Sequence, residues 1–322
     1  MTIQQLLKTA PVTTLLLVSF IGLFIMQVLT GVDANNPSTE ALIKWGANAL
    51  PFTMANESWR LVSSAFLHIG LMHLLFNGFA MYFFGQIAEP MFGSAKFLAL
   101  FLLAAIGGNL LNNHVTWQNI LEGTGQPGLS AGASGGIMGI GAALLIAALF
   151  KISVNGMILN LRSLVFIMGI NLVYGFAVPG VDNAGHIGGA ITGLVIALVF
   201  AIAYRQRMTI ALRNAALSQN PYQSNDQNRY QADYQTTYID QPPSFDTYST
   251  NSDTEFDNHT GMNPDINVNT AHTSVIEQKI PATPSIIWTL LPWLVMLLIS
   301  IGFVWWWHDI HSQLVQVLKT IE

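Results

Sequence analysis

The sequence predicts an all-α, polytopic membrane protein, with a six-helix core and a seventh transmembrane helix behind it. Three features predict it. Charged residues make up 9% of the 322, where soluble domains carry about 25%, and hydrophobic residues reach 52%. Apolar runs long enough for a ~30 Å hydrocarbon core recur along the chain. Lysine and arginine alternate between the connections as the positive-inside rule requires.

A leader, residues 1–12, carries one lysine, Lys8. The first run, Thr13–Thr30, is longer than the apolar region of a signal peptide and lacks a convincing small-x-small cleavage site, so it reads as a retained helix. Phe66–Ile87, Lys96–Val115, Ser134–Phe150, Ser163–Val178 and His186–Tyr204 follow. Together, residues 13–204 form the expected core. Residues 205–285 are rich in Gln, Asn, Ser, Thr and Tyr without apolar periodicity, the composition of a disordered polar linker. Ile286–Trp307 is the seventh span, with an aromatic belt at "WWWH" and an expected accessory or anchoring role. Residues 308–322 are a short tail.

Lys8, Lys96, Lys151, Arg162, Arg205, Arg207 and Arg213 fall in the leader and alternate connections, whereas the other loops of the core hold only Lys44 and Arg60. The amino terminus is therefore expected in the cytoplasm, in keeping with a bacterial inner membrane. The net charge of −5 argues against a nucleic-acid partner. The absence of cysteine excludes disulfides, zinc–thiolate sites and thiol nucleophiles.

Strongly polar groups within spans are costly and point to function. They are His73 and Asn77 in the second span, Ser134 at the start of the fourth, Asn171 in the fifth and His186 at the start of the sixth. Asn171 reads as structural. The second, fourth and sixth spans run in one direction, so the others share the outer half of the bilayer. His73 and Asn77 are i and i+4, on one helix face. A serine hydroxyl needs a base to accept its proton, and neutral histidine suits that task near pH 7. Ser134 as nucleophile and His186 as base make a minimal dyad. The Ser134 backbone N–H, His73 and Asn77 are candidate donors to an oxyanion. Glycines beside Ser134 let a substrate backbone approach.

Taken singly, Ser134 is a helix N-cap, His186 a packing donor and Asn77 an interhelical bond. Gly185, Gly189 and Gly193 form a close-packing face. Gly132-Ala133-Ser134-Gly135-Gly136 also fits the G-x-S-x-G nucleophile elbow, which requires a preceding strand that "EGTGQPGLSA" does not suggest. Asp182 reads as a loop charge rather than the third member of a triad.

In combination these residues resemble the rhomboid intramembrane serine proteases over about residues 10–205. Gly132-Ala133-Ser134-Gly135 is similar to the family's GxSG, "HLLFN" (His73 to Asn77) to its HxxxN, and "AGHIGGAITG" to its sixth-helix motif. Trp59-Arg60 resembles the WR pair of the first loop, Glu89 with Gly93 the E-x-x-x-G after the second helix, and Asn183 a common family residue. The resemblance implies a short central fourth helix and an outward-opening cavity. It also implies hydrolysis of transmembrane substrates near their outer ends, by Ser134 and His186 with His73 and Asn77 at the oxyanion, without metal or cofactor. The expected partners are single-span transmembrane proteins and membrane lipid. The oligomeric state is left open. Met138 stands where the family often has a tyrosine packed on the base. The alternative is an inactive relative that binds transmembrane segments of client proteins. Such relatives usually lose the serine or the histidine.

Overall fold

The computed structural model describes residues 3–125, 128–152, 160–177, 181–218 and 285–321. These are almost wholly helical. The helices are α1 (Ile3–Thr9), α2 (Pro11–Leu29), α3 (Thr39–Trp45), α4 (Leu50–Met54), α5 (Arg60–Ser63), α6 (Leu71–Phe92), α7 (Ser94–Leu121), α8 (Ser134–Leu149), α9 (Leu161–Ala177), α10 (Asn183–Ser218) and α11 (Ile287–Ile321). A 3-10 turn, Ser64–Phe66, follows α5. α2, α6, α7, α10 and α11 are long and apolar enough to cross a membrane; α8 is shorter and apolar. α9, where the fifth span was expected, has 17 residues. The side chain of Asn171 is outside those described.

A helix that is apolar on every side belongs in the interior, and α8 is one. Every residue from Gly136 to Leu144 is buried. Its 16 residues rise about 24 Å, less than a bilayer core. Phe97, Phe101, Ala105, Ile137, Ile140, Leu144, Ile196 and Phe200 join α7, α8 and α10 in one cluster.

A buried carboxylate fixes the end of α6. Glu89 is 1% exposed. Its Oε1 accepts from Val12 N (2.9 Å) and Ser94 Oγ (2.6 Å), and its Oε2 from Thr13 N and Thr13 Oγ1, both at 2.7 Å. Ala10 supplies no side-chain cap to α2, so Glu89 caps it from across the fold. The helix start is a favourable place for that negative charge. Gly93 ends α6 at φ +84° and donates to Glu89 O.

The first loop folds around Arg60. Its Nε donates to Glu57 Oε2 (2.6 Å) and its Nη1 to the carbonyls of Ile43 (2.6 Å) and Ala47 (3.1 Å). The guanidinium lies over the rings of Trp59 and Phe52. Trp59 also closes on Gly46, at φ +101°, where a Cβ would meet the indole at 2.6 Å. The WR pair is thus the hub of the loop.

Three expectations are corrected in detail. A two-residue strand, β2 (Leu129–Ser130), precedes Ser134 and pairs antiparallel with β1 (Asn48–Ala49), Asn48 opposite Ser130. Two residues are still far from the sheet an elbow needs. α10 continues past Tyr204 to Ser218, into the stretch expected to be linker; residues 219–284 lie outside the described ones. α11 runs on past Trp307 to Ile321, where a tail was expected. The reason is its continued apolar periodicity: Ile310, Leu314 and Val317 pack with Leu50, Met54, Leu110 and Trp117. Trp307 Nε1 donates to Thr53 O (3.0 Å), Trp117 Nε1 to Gln313 Oε1 (2.9 Å), and His311 Nδ1 bonds Met54 O. Of the "WWWH" tryptophans, Trp305 faces outward and Trp306 lies tilted against His114, with ring centroids 5.7 Å apart.

Glu89→Ala strips four donors of their acceptor. It is expected to cost about 3 kcal/mol or more, read as a lower thermal midpoint in detergent. Glu89→Gln, which keeps one carbonyl oxygen, loses less.

Candidate active site

Ser134 is the first residue of α8. Ala133 occupies the cap position, and no side chain caps the helix. The hydroxyl therefore does not serve as a cap, and the first amides of α8 face the loop without a side-chain acceptor. That loop is anchored by Gly132, whose amide donates to Ser64 O at 2.9 Å. Gly132 has φ +141°, a conformation that strains any residue with a Cβ.

Glycine–glycine contact brings α10 to α8. A Cβ on Gly189 would overlap the carbonyl of Gly135, and one on Gly193 the backbone of Gly139. A Cβ on Gly139 would in turn lie 2.9 Å from Gly189 O. Gly188 meets α7 at the backbone of Gly107 and Gly108. α10 is thereby seated between α7 and α8. Its Gly185 carbonyl lies 3.3 Å from where a Gly135 Cβ would be. Ser134 and His186 each stand one residue from that contact. Among the described residues His186 Nδ1 has no hydrogen-bond partner, and hydrogen bonds between a serine and its base often tighten only around substrate.

His73 and Asn77 close the other side of the cluster. A Cβ on Gly132 would lie 2.6 Å from His73 Cε1, 2.8 Å from its Nε2 and 3.5 Å from Asn77 Nδ2. The amide of Ile69 donates to His73 Nδ1 at 3.2 Å. An accepting Nδ1 places the proton of the neutral ring on Nε2, the nitrogen turned toward Gly132. Asn77 is buried, and its Nδ2 has no partner among the described residues. A buried donor left unpaired is costly, and here two donors converge on one space beside the serine. Sequence spacing gave the helix face but not this tautomer.

Asp182 is a helix cap, not merely a loop charge. Its Oδ1 accepts from Gly185 N (2.7 Å) and Asn112 Nδ2 (2.9 Å), and its Oδ2 from Ser130 Oγ (2.6 Å). It binds α7 and β2 to the start of α10. Its oxygens serve these donors, and His186 Nδ1 has no partner among the described residues. No triad is assembled. Met138 is buried one turn below Ser134, and Asn183 opens α10. Trp59, Arg60 and Glu89 hold the scaffold away from the cluster. Ser64, Asn109, Asn112 and Ser130 were missed by sequence reasoning. Asn109 Nδ2 donates to Ser64 Oγ and Leu61 O, both at 2.8 Å. An apolar run punctuated by asparagines on α7 was the one available signal.

His68 was also missed. It is 1% exposed, against Phe20 (5.2 Å between ring centroids) and His73 (5.4 Å). Burial, reinforced by His73, holds its pKa down at about 3, so it stays neutral.

These features define a class: an integral, multi-pass membrane protein with a serine, two histidines and an asparagine gathered at the ends of three helices. Comparison with known proteins shows what the chain is similar to. Residues 55–203 match the Rhomboid domain. A 204-residue stretch is 36% identical to Rhomboid protease GluP of Bacillus subtilis (strain 168), covering 62% of this chain and 38% of that protein. A 177-residue stretch is 32% identical to Rhomboid protease AarA of Providencia stuartii, covering 50% and 62%. RHOMBOID-like protein 6, mitochondrial, of Arabidopsis thaliana is 33% identical over 165 residues, 51% and 50%. Residues 55–203 are thus similar to the rhomboid family, and the chain spans less than two thirds of the length of each of these relatives.

Two outcomes test this geometry. Gly132→Ala is expected to lower the thermal midpoint, at a cost of about 1–3 kcal/mol from its φ and more from collision with His73. Gly128→Ala, with nothing near its Cβ, is expected to be neutral. For His68, the unfolded chain takes up a proton as pH falls through about 6.5, whereas the folded ring resists until about 3. Stability present above 6.5 is therefore lost progressively on acidification toward 3. His68→Phe is expected to flatten the fall in melting temperature between pH 7 and 4.5.

Proposed function

We propose that this protein is an intramembrane serine protease that hydrolyses a peptide bond in or near the outer end of substrate transmembrane segments. The observation that carries the reading is the pair of donors beside an uncapped serine. His73 Nε2–H and the unpartnered Asn77 Nδ2 face Gly132, two residues before Ser134. His186 is brought alongside by the glycine seam. Two of the relatives carry the name rhomboid protease, which supports the same reading.

In this reaction His186 takes the proton of Ser134 Oγ–H as Oγ bonds to the scissile carbonyl carbon. The carbonyl oxygen becomes an anion, stabilised by the Ser134 N–H, His73 Nε2–H and Asn77 Nδ2–H. As the C–N bond breaks, the imidazolium returns its proton to the leaving amine. Water then attacks the acyl-serine by the same proton route, releasing the acid and restoring Ser134. Asp182 orients the start of α10 through its cap without receiving a proton. The lysine and arginine pattern supports an amino terminus in the cytoplasm and a site opening to the other face of a bacterial inner membrane. Single-span membrane proteins are the substrate class.

The test is labelling of the purified protein in detergent by a fluorophosphonate, which reports an activated serine without knowledge of the substrate. The parent is expected to label, and Ser134→Ala and His186→Ala to stay dark. On a transmembrane peptide, Asn77→Ala is expected to slow cleavage about 10²- to 10³-fold. A folded parent that stays dark where an active relative labels would sink the protease reading in favour of a client-binding protein.

A further inference from the structure

We infer that the end of the bundle opposite the Ser134 cluster holds a binding site for the phosphate headgroup of an anionic membrane phospholipid, built by Lys96 and Arg207. These two cations line one partly enclosed cavity of about 140 Å³, together with Tyr204 and with apolar walls that include Phe92, Phe200 and Trp288. The residues come from α6, α7, α10 and the first turns of α11, so the site joins the seventh helix to the core.

The charge balance calls for an anion. Lys96 and Arg207 are near enough to repel one another. Lys96 lies 5.8 Å from the centroid of the Phe200 ring. The ion pair formed among the described residues is Arg60 with Glu57, in the first loop. Glu89, the carboxylate nearest to Lys96 in sequence, already serves four donors. Arg205 differs: it stacks over Phe150 at 4.8 Å and donates to the Phe150 carbonyl at 3.4 Å. Two cations share an aromatic-walled hollow, whereas their neighbour is occupied by the protein itself.

Depth distinguishes a lipid site from a solvated surface. From Asn183 to Arg207 α10 rises about 36 Å, slightly more than a ~30 Å hydrocarbon core. With the start of α10 at one interface, Arg207 reaches the other. α11 gives the same measure, since Trp288 and Trp307 are about 29 Å apart along it. The cavity therefore stands at headgroup level, and the exposed apolar faces of α11, with Leu290, Leu294 and Leu298, leave room for acyl chains beside it. Basic pockets between helices at this level suit anionic headgroups, and two cations with donors on flexible stems suit a phosphodiester.

The experiment measures the thermal midpoint of the full chain in detergent with phosphatidylglycerol, phosphatidylcholine or inorganic phosphate added. Phosphatidylglycerol is expected to raise it by several degrees with saturation, and the other two to change it little. Lys96→Gln/Arg207→Gln is expected to need at least tenfold more phosphatidylglycerol for the same shift, while Arg205→Gln stays within twofold of the parent. Retention of about one phosphatidylglycerol per chain in native mass spectrometry of the parent gives a second reading, valid even if the double variant folds poorly. Equal response to phosphatidylcholine, an unchanged double variant, or a parent that retains no lipid overturns the proposal. Inorganic phosphate reproducing the whole shift would assign the cavity to a soluble anion and overturn the lipid source.

Discussion

Backbone-to-backbone contact between α8 and α10 is the constraint on which the site rests. Gly135 and Gly139 face Gly189 and Gly193 so closely that a single added carbon on either seam glycine of α10 overlaps main-chain atoms. Dispersion between glycine faces is modest per atom, but the distance it permits cannot be reached with any larger residue. That distance sets the separation of the helices that carry Ser134 and His186. Stability and candidate chemistry therefore depend on the same atoms, and any widening of the seam acts on both.

The other half of the cluster is held from outside the bundle. The first loop, gathered by Arg60, presents the Ser64 carbonyl to the Gly132 amide, and Asn109 of α7 grips Ser64 in turn. His73 and Asn77 then meet the loop at Gly132, where no side chain intervenes. A fourth support comes from Asp182, which ties α7 and β2 to the start of α10. Few of these supports touch the space beside the serine, yet each limits how far its neighbours can drift. Positioning within fractions of an ångström needs such a second layer of contacts.

The spans, the glycine seam and the residues Ser134, His186, His73 and Asn77 were legible because each is written locally, in hydropathy or in i, i+4 spacing. The contacts of Glu89 with Val12 were not, since 77 residues separate them. The docking of Trp117 on Gln313, 196 residues apart, was equally silent. Asp182 looked like a loop charge because its three partners come from three separate segments. α11 overran its expected end because a hydropathy window sees the apolar span but not an amphipathic continuation packed on α4 and α7. The His73 tautomer depends on a backbone amide, Ile69 N, and no residue type encodes it.

The cavity lined by Arg207 and Trp288 has a mechanical consequence. α11 meets the core near both of its ends, through Trp288 and Pro292 at this cavity and through Ile310 and Leu314 against Leu50, Met54 and Trp117. A helix held at two distant points cannot slide or tilt without opening one of them. The seventh helix is therefore a brace along the core, and its register is set by these two contacts.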